Sequence, residues 1–291
     1  MTIQEKTIII TGANSGIGKA ASMQLAGLGA TVVMMCRNKE RGEAALQDVR
    51  SASGNPKTEL ILVDMASQAS VRNAVNEFLA KHARLDVLIH NAATFDLSQK
   101  KPVMTADGVE SIFATNHVNI FLMTELLLDK LKESAPSRII TVSSKGLLMH
   151  PFLNIAFDNF NGEKKFSVQH AYYHSKQAQV MFTFDLAERL QGTGVTVNCV
   201  RVGNVAIPLE RLSHLPSWML KLYEKKQQLA LTPEKMAETY VWLATDPSVE
   251  KVTGGYFDEN NQQVKANKNA YDRETQERLW NTTKALIREE N

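Results

Sequence analysis

Short, nearly uninterrupted apolar runs alternate along the chain with longer segments in which apolar positions recur every three or four residues. The runs are Thr7–Thr11, Thr31–Cys36, Glu59–Val63, Leu85–His90, Arg138–Ser143, Thr196–Val202 and Gly255–Phe257. Each is rich in Ile, Val or Leu and almost free of charge, a pattern that predicts strands covered on both faces, as in a parallel sheet. After the third run, Val71, Val75, Phe78 and Leu79 mark one side of a helix, and Asn73, Glu77 and Lys81 mark the other. Strand and helix signals in strict alternation predict βαβ units and an α/β fold. With no internal repeat and no Pro/Gly/Ser linker, residues 1–291 read as a single domain built on one doubly wound sheet. Residues 145–169 and 204–232 are longer than ordinary α/β connections. Both follow strands at their carboxyl ends, where open α/β sheets bind ligands, so they are expected to form a small helical substrate lid.

Composition narrows the function classes without naming one. A content of 44% hydrophobic and 22% charged residues suits a globular core. A formal net charge of +2 and the lack of a dense basic stripe give no reason to expect a nucleic-acid partner. Lys221, Lys225 and Lys226 surround Glu224 and read as a solvated helix face. The first strand begins too early for a secretory signal. Glu125 and Asp129 interrupt the best apolar stretch, Ile120–Leu131, so no integral membrane segment is expected. Cys36 and Cys199 sit in apolar runs and read as free thiols of a cytoplasmic protein. His170 and His174 have metal-compatible i,i+4 spacing but no Glu after the first His, so no metal site is expected. No G-x-S-x-G elbow is present to suggest serine hydrolysis. A homo-oligomer remains open.

The first candidate chemistry lies where the first strand ends, in Thr11-Gly12-Ala13-Asn14-Ser15-Gly16-Ile17-Gly18. Glycines there permit a tight turn and close approach of backbone amides to a pyrophosphate, and a helix N-terminus adds partial positive charge. The second strand ends in Cys36-Arg37-Asn38, with no acid between Thr31 and Lys39. A carboxylate at this point would hold a ribose 2′-hydroxyl, whereas a guanidinium grips a 2′-phosphate. NADP(H) is therefore the expected cofactor.

Tyr172 and Lys176 stand four apart in a segment, Ala171–Leu190, that reads as a helix, which puts both on one face. A nearby ammonium and a nicotinamide cation are expected to lower the phenol's pKa towards neutrality. Such a pair occurs readily by chance, so context has to carry it. The chain resembles the short-chain dehydrogenase/reductase family along most of its length, in the T-G-x-x-x-G-x-G turn and in Asn91-Ala92-Ala93, close to the family's N-A-G. The resemblance implies a Rossmann-like fold and a tetrad of Asn116, Ser144, Tyr172 and Lys176. In this pattern Ser and Tyr hold the substrate oxygen and Tyr exchanges its proton. Lys binds the ribose and lowers the tyrosine pKa, and Asn positions a water in the proton relay. It also implies cofactor contacts from Gly12, Asn14, Ser15, Gly16, Ile17, Gly18, Arg37, Asn38, Asp64, Met65, Asn91, Ala92, Ala93, Tyr172, Lys176, Gly203 and Val205, with Asp64 near the adenine. The 28-residue gap from Ser144 to Tyr172, with Cys36–Ala45, Asn161-Gly162-Glu163-Lys164 and Val252–Phe257, is similar to the retinol-dehydrogenase and WW-domain-oxidoreductase branch.

The chain departs from the family pattern at Val202, where Pro is usual, at Ile207, in place of a carboxamide-binding Thr, and at Asn119, in place of Gly. The implied reaction is hydride transfer between NADP(H) and a carbonyl or alcohol carbon. Leu147, Leu148, Met149, Phe152, Leu153, Ile155, Phe157 and Phe160, with Leu209, Leu212, Leu215, Trp218 and Met219, suggest a lipophilic or aromatic small-molecule substrate. Two other readings stay open on the sequence: a catalytically idle NADP(H)-binding scaffold, and a C=C reductase.

Overall fold

The structure, a computed structural model, describes residues 2–206 and 227–287. All seven apolar runs form strands: β1 (Thr7–Thr11), β2 (Thr31–Cys36), β3 (Thr58–Leu62), β4 (Val87–His90), β5 (Ser137–Ser144), β6 (Val195–Val202) and β7 (Tyr256–Phe257). They make one sheet in the order β3-β2-β1-β4-β5-β6-β7, every pairing parallel. The chain winds outward from β1 to β3, then returns to lay β4 on the other side of β1. That reversal opens a crevice at the carboxyl ends of β1 and β4.

Helices cover both faces: α1 (Gly16–Gly27), α2 (Lys39–Ser53), α3 (Gln68–Lys81), α4 (Ser111–Glu133), α5 (Val168–Arg189), α6 (Pro233–Thr245) and α7 (Arg273–Leu286). Side chains alternate across the pleat. Ile8, Ile10, Val32, Met34, Ile89 and Val200 pack in a core with residues of α1, α2 and α6. Ile9, Val33, Met35, Leu88, Ile139 and Val197 pack with residues of α3, α4 and α5. The last helix lies over the second layer, where Trp280 meets Phe121 and Phe182 and takes the Arg189 guanidinium 4.1 Å above its ring. Leu79, expected on the apolar side of α3, is instead 37% exposed at the edge of the buried stripe.

By length and composition α4 could cross a membrane, contrary to the sequence expectation, because Ser111–Val118 extends the apolar stretch. Within this fold 72% of its apolar window is buried, as in a core helix. A π turn interrupts it at Ala114–Val118, and such bulges recur at functional sites.

The first long excursion is less helical than expected. After a single 3-10 turn, Lys145–Met149, it runs in turns to Val168, where α5 begins three residues ahead of the predicted start. The two ends of the second excursion are tied together, since Leu231 N donates to Asn204 O (2.8 Å) and Ala206 N to Leu231 O (2.9 Å). Ile207, Leu209, Leu212, Leu215, Trp218, Met219, Lys221, Glu224, Lys225 and Lys226 lie outside the described residues.

Candidate active site

A cleft of about 1280 Å³ opens along the carboxyl edge of the sheet. At one end lies the glycine turn. Gly12 has φ +65°, and a Cβ there would stand 2.9 Å from Ala92 Cα, so the left-handed turn and the close strand crossing both demand glycine. Asn91 fastens the turn from β4, donating from Nδ2 to Thr11 O (2.9 Å) and Gly12 O (3.2 Å), while Tyr240 Oη donates to its Oδ1 (3.2 Å). A Cβ on Gly16 would meet nothing within 4 Å. Asn14, Ser15, Gly16 and Ile17 therefore offer open space beside the N-terminus of α1, and the Ser15 hydroxyl is not spent on capping it. That cradle suits a pyrophosphate. Gly18 does not line the cleft; its lack of a side chain lets Asn91 Nδ2 and Gly12 O pack against α1.

Arg37 is exposed at the rim of the same cleft, beyond the end of β2, whereas Asn38 is not among the lining residues. The Asn38 side chain accepts from Arg41 N (2.8 Å) and caps α2. Asp64, Met65, Ala92, Ala93, Gly203 and Val205 all line the cleft. Among the described residues no group of three His, Cys, Asp or Glu could hold a metal. His174 Nε2 instead accepts from Ala156 N (2.9 Å), and its ring stacks on His170 and Phe113.

The tetrad converges where β5, α5 and the π turn of α4 meet. Ser144 ends β5 and hydrogen-bonds the Tyr172 phenol; its Oγ also accepts from Gly146 N (3.1 Å). Lys176 Nζ stands 5.7 Å from the centre of the Tyr172 ring and donates to Val142 O (2.8 Å), leaving two ammonium donors for further partners. Asn116 sits in the π turn, fully buried. Its Oδ1 accepts from Thr94 N (2.8 Å), and its Nδ2 donates to Thr94 O (3.1 Å) and Ser175 Oγ (3.0 Å). Its carbonyl accepts from Gln179 Nε2. Of the four, only Ser144 and Tyr172 line the cleft. Asn116 and Lys176 support them from behind.

Without the nicotinamide cation, burial sets the electrostatics of the pair. Burial pushes the Tyr172 phenol up to about 12, against the lowering effect of its bond from Ser144. Burial also pulls the Lys176 ammonium down to about 8. Desolvation is the largest cause of both shifts, so the protein alone holds Tyr172 as a neutral proton donor. Ser143, next to Ser144, is a strand-end hydroxyl bonded to Lys176 O (3.1 Å).

Beside the pair the cleft wall carries several apolar side chains among polar ones such as Gln99 and Thr105. Phe95 lies with its ring centre 4.4 Å from that of Tyr172, and Val103, Met104, Leu148 and Met149 continue the wall. The first excursion divides its hydrophobic residues between two tasks. Leu147 and Ile155 are buried, and Phe157 and Phe160 pack beside them, whereas Leu148 and Met149 line the cleft and Phe152 stays 87% exposed. Gly146 admits the Tyr173 ring, whose atoms would lie 2.4–2.8 Å from a Cβ there. Val202, in place of proline, is the last residue of β6 in register with Ser144.

Phe95, Tyr173, Thr94 and Gln179 escaped the sequence reading. Thr94 and Phe95 directly follow Asn91-Ala92-Ala93 at a strand's carboxyl end, a position that could have flagged them. Gln179 meets Asn116 across 63 residues of chain, with no local signal.

Comparison with known proteins agrees with this geometry. The short chain dehydrogenase family profile matches residues 6–214. Human retinol dehydrogenase 14 is 40% identical, over 97% of this chain and 86% of its own length. Mouse retinol dehydrogenase 11 is also 40% identical, over 87% of this chain and 77% of its own length. A structurally determined protein from Mycobacterium paratuberculosis, 26% identical, superposes with a TM-score of 0.72 over 98% of this chain and 94% of its own. A short chain dehydrogenase from Escherichia coli CFT073, solved with NADPH, is 24% identical and shares the fold with a TM-score of 0.67 over 88% of this chain and 96% of its own. With its family pattern, parallel sheet and Ser144–Tyr172 pair in one cleft, the chain belongs to the short-chain dehydrogenase family, oxidoreductases that act on an alcohol or carbonyl carbon.

Proposed function

We propose that the protein is a cytoplasmic, NADP(H)-dependent dehydrogenase/reductase that interconverts the alcohol and aldehyde or ketone of a lipophilic small molecule. The observation that carries this reading is the placement of Ser144 and Tyr172 in a cleft whose outer wall is Phe95, Val103, Met104, Leu148 and Met149. The retinol dehydrogenases it resembles point to a long-chain, unsaturated primary alcohol or its aldehyde. Arg37, with no acid on β2, supports the phosphorylated cofactor. The buried free thiols Cys36 and Cys199 support a reducing compartment.

The nicotinamide cofactor supplies or accepts the hydride when bound. Gly12 to Ile17 would cradle its pyrophosphate, Arg37 would meet the 2′-phosphate, and Lys176 would hold the ribose with its remaining ammonium protons. In the reductive direction the Ser144 hydroxyl donates to the carbonyl oxygen, stabilising the charge that develops there. The Tyr172 phenol, neutral in this environment, transfers its proton to that oxygen, and the Lys176 ammonium stabilises the phenolate left behind. Phe95 and the apolar wall would contact the lipophilic part of the substrate.

The test is NADPH consumption against matched series of aldehydes, ketones and enones of increasing chain length. Turnover of long-chain aldehydes with kcat/KM rising with apolar length supports the proposal. Binding of NADPH with no turnover of any carbonyl would favour an idle scaffold, and reduction of the enone C=C bond alone would assign a different chemistry.

A further inference from the structure

The connection between β3 and α3 forms the adenosine side of the cleft, and most of its ties are local. Asp64 N donates to Ser70 Oγ (2.9 Å), Ala66 N to Asp64 Oδ1 (2.9 Å) and Ser67 N to Asp64 O (3.0 Å). One tie reaches in from a distant helix: Asn119 Nδ2 of α4 donates to Met65 O (2.9 Å) across 54 residues of chain. Asn119 is 1% exposed, and among the described residues its Oδ1 accepts no hydrogen bond. A polar side chain at such depth with its oxygen unpaired carries a desolvation cost. What the bond does accomplish is local. It fixes the carbonyl side of Met65, while the Ser70 bond fixes the peptide before Asp64. Between these anchors the Met65 N–H has no hydrogen-bond partner among the described residues, and both Asp64 and Met65 line the cleft.

We propose that Asn119 is a positioning residue for the adenine end of the cofactor. Through the Met65 carbonyl it sets the loop whose free Met65 amide and Asp64 carboxylate are available to the adenine edge. The proposal rests on the cofactor reading above. It also relocates the significance of a departure from the family pattern, since Asn119 acts on cofactor affinity and not on the chemical step. A glycine at this position would leave the Met65 carbonyl without its donor.

The experiment measures dissociation constants for NADPH, for 2′,5′-ADP and for reduced nicotinamide mononucleotide, which lacks the adenosine half. Asn119→Gly should weaken NADPH and 2′,5′-ADP about three- to tenfold, the effect of one lost hydrogen bond. It should leave the mononucleotide constant unchanged, and kcat at saturating NADPH within about twofold of wild type. An unchanged 2′,5′-ADP constant in the folded variant overturns the proposal, and so does an equal loss for the mononucleotide. Asn119→Asp keeps the volume and supplies a second test should the glycine variant fail to fold. A protonated carboxyl can donate to Met65 O and an ionised one repels it. The ratio of variant to wild-type 2′,5′-ADP constants should therefore grow as pH rises, and a ratio independent of pH overturns the assignment. Failure of the wild-type protein to bind 2′,5′-ADP at all would refute the cofactor reading itself, a result separable from any effect of Asn119.

Discussion

Lys176 should make the protein less stable where it is charged and more stable as it loses its proton. Burial lowers its pKa from 10.5 to about 8, so between those values the unfolded chain binds a proton that the folded chain has released. Stability then rises with pH by up to about 1.36 kcal/mol per unit. Over pH 7 to 9 the gain amounts to roughly 1.4 kcal/mol, since the effect begins only as pH approaches the folded value. Lys176→Met removes the titration while nearly preserving volume, but it also unpairs Val142 O, which costs about 1–3 kcal/mol. The absolute difference between the two proteins is therefore ambiguous in sign, whereas its change with pH isolates the ammonium. Cys199, pushed up to about 11 by burial, and Tyr172, pushed up to about 12, act in the opposite direction above about pH 9. Both are present in each protein and largely cancel. Thermal unfolding of the cofactor-free proteins at half-unit steps from pH 7 to 9 should show wild type gaining about 2 °C on the variant. A difference that stays flat across this range would refute the claim that the fold penalises this ammonium.

Two further substitutions probe the cofactor half of the cleft. Arg37→Ala should reduce NADPH affinity about tenfold to 150-fold and leave NADH nearly unaffected, as expected for loss of a charge-assisted bond to the 2′-phosphate; equal wild-type constants for the two cofactors in a titration would contradict this. Gly12→Ala forces a Cβ to 2.9 Å from Ala92 Cα at φ +65°, at a cost of about 1–3 kcal/mol, and should abolish NADPH binding while circular dichroism shows a retained fold; normal binding would show that the turn has slack.

Strand positions were legible in the sequence because strands covered on both faces leave uninterrupted apolar runs, and Ile8 to Ile10 or Val32 to Met35 have no other stable placement. The glycine turn and the Tyr172–Lys176 spacing were legible because both are local in the chain. Features built from distant contacts were hidden. That the Asn38 side chain caps α2 was not visible from the strand-end motif. Asn119 stood out only as a departure from the family's glycine, and its bond to Met65 O, 54 residues away in the chain, had no local signal. The burial of Tyr172 was hidden for the same reason. A Lys four residues away suggests a lowered pKa, but the burial that reverses it comes from the surrounding fold, and sequence spacing carries no trace of it.

The central claim is that Tyr172 delivers the proton in carbonyl reduction, and single-turnover NADPH oxidation by wild type and Tyr172→Phe tests it most directly. With a long-chain unsaturated aldehyde in excess, the variant should bind NADPH within about twofold of wild type, because only the phenolic oxygen is removed. Its rate of NADPH oxidation should fall by about 10²–10⁴, the contribution of a positioned general acid. A variant that oxidises NADPH at the wild-type rate with the same aldehyde would contradict the account, since the proton would then come from another group.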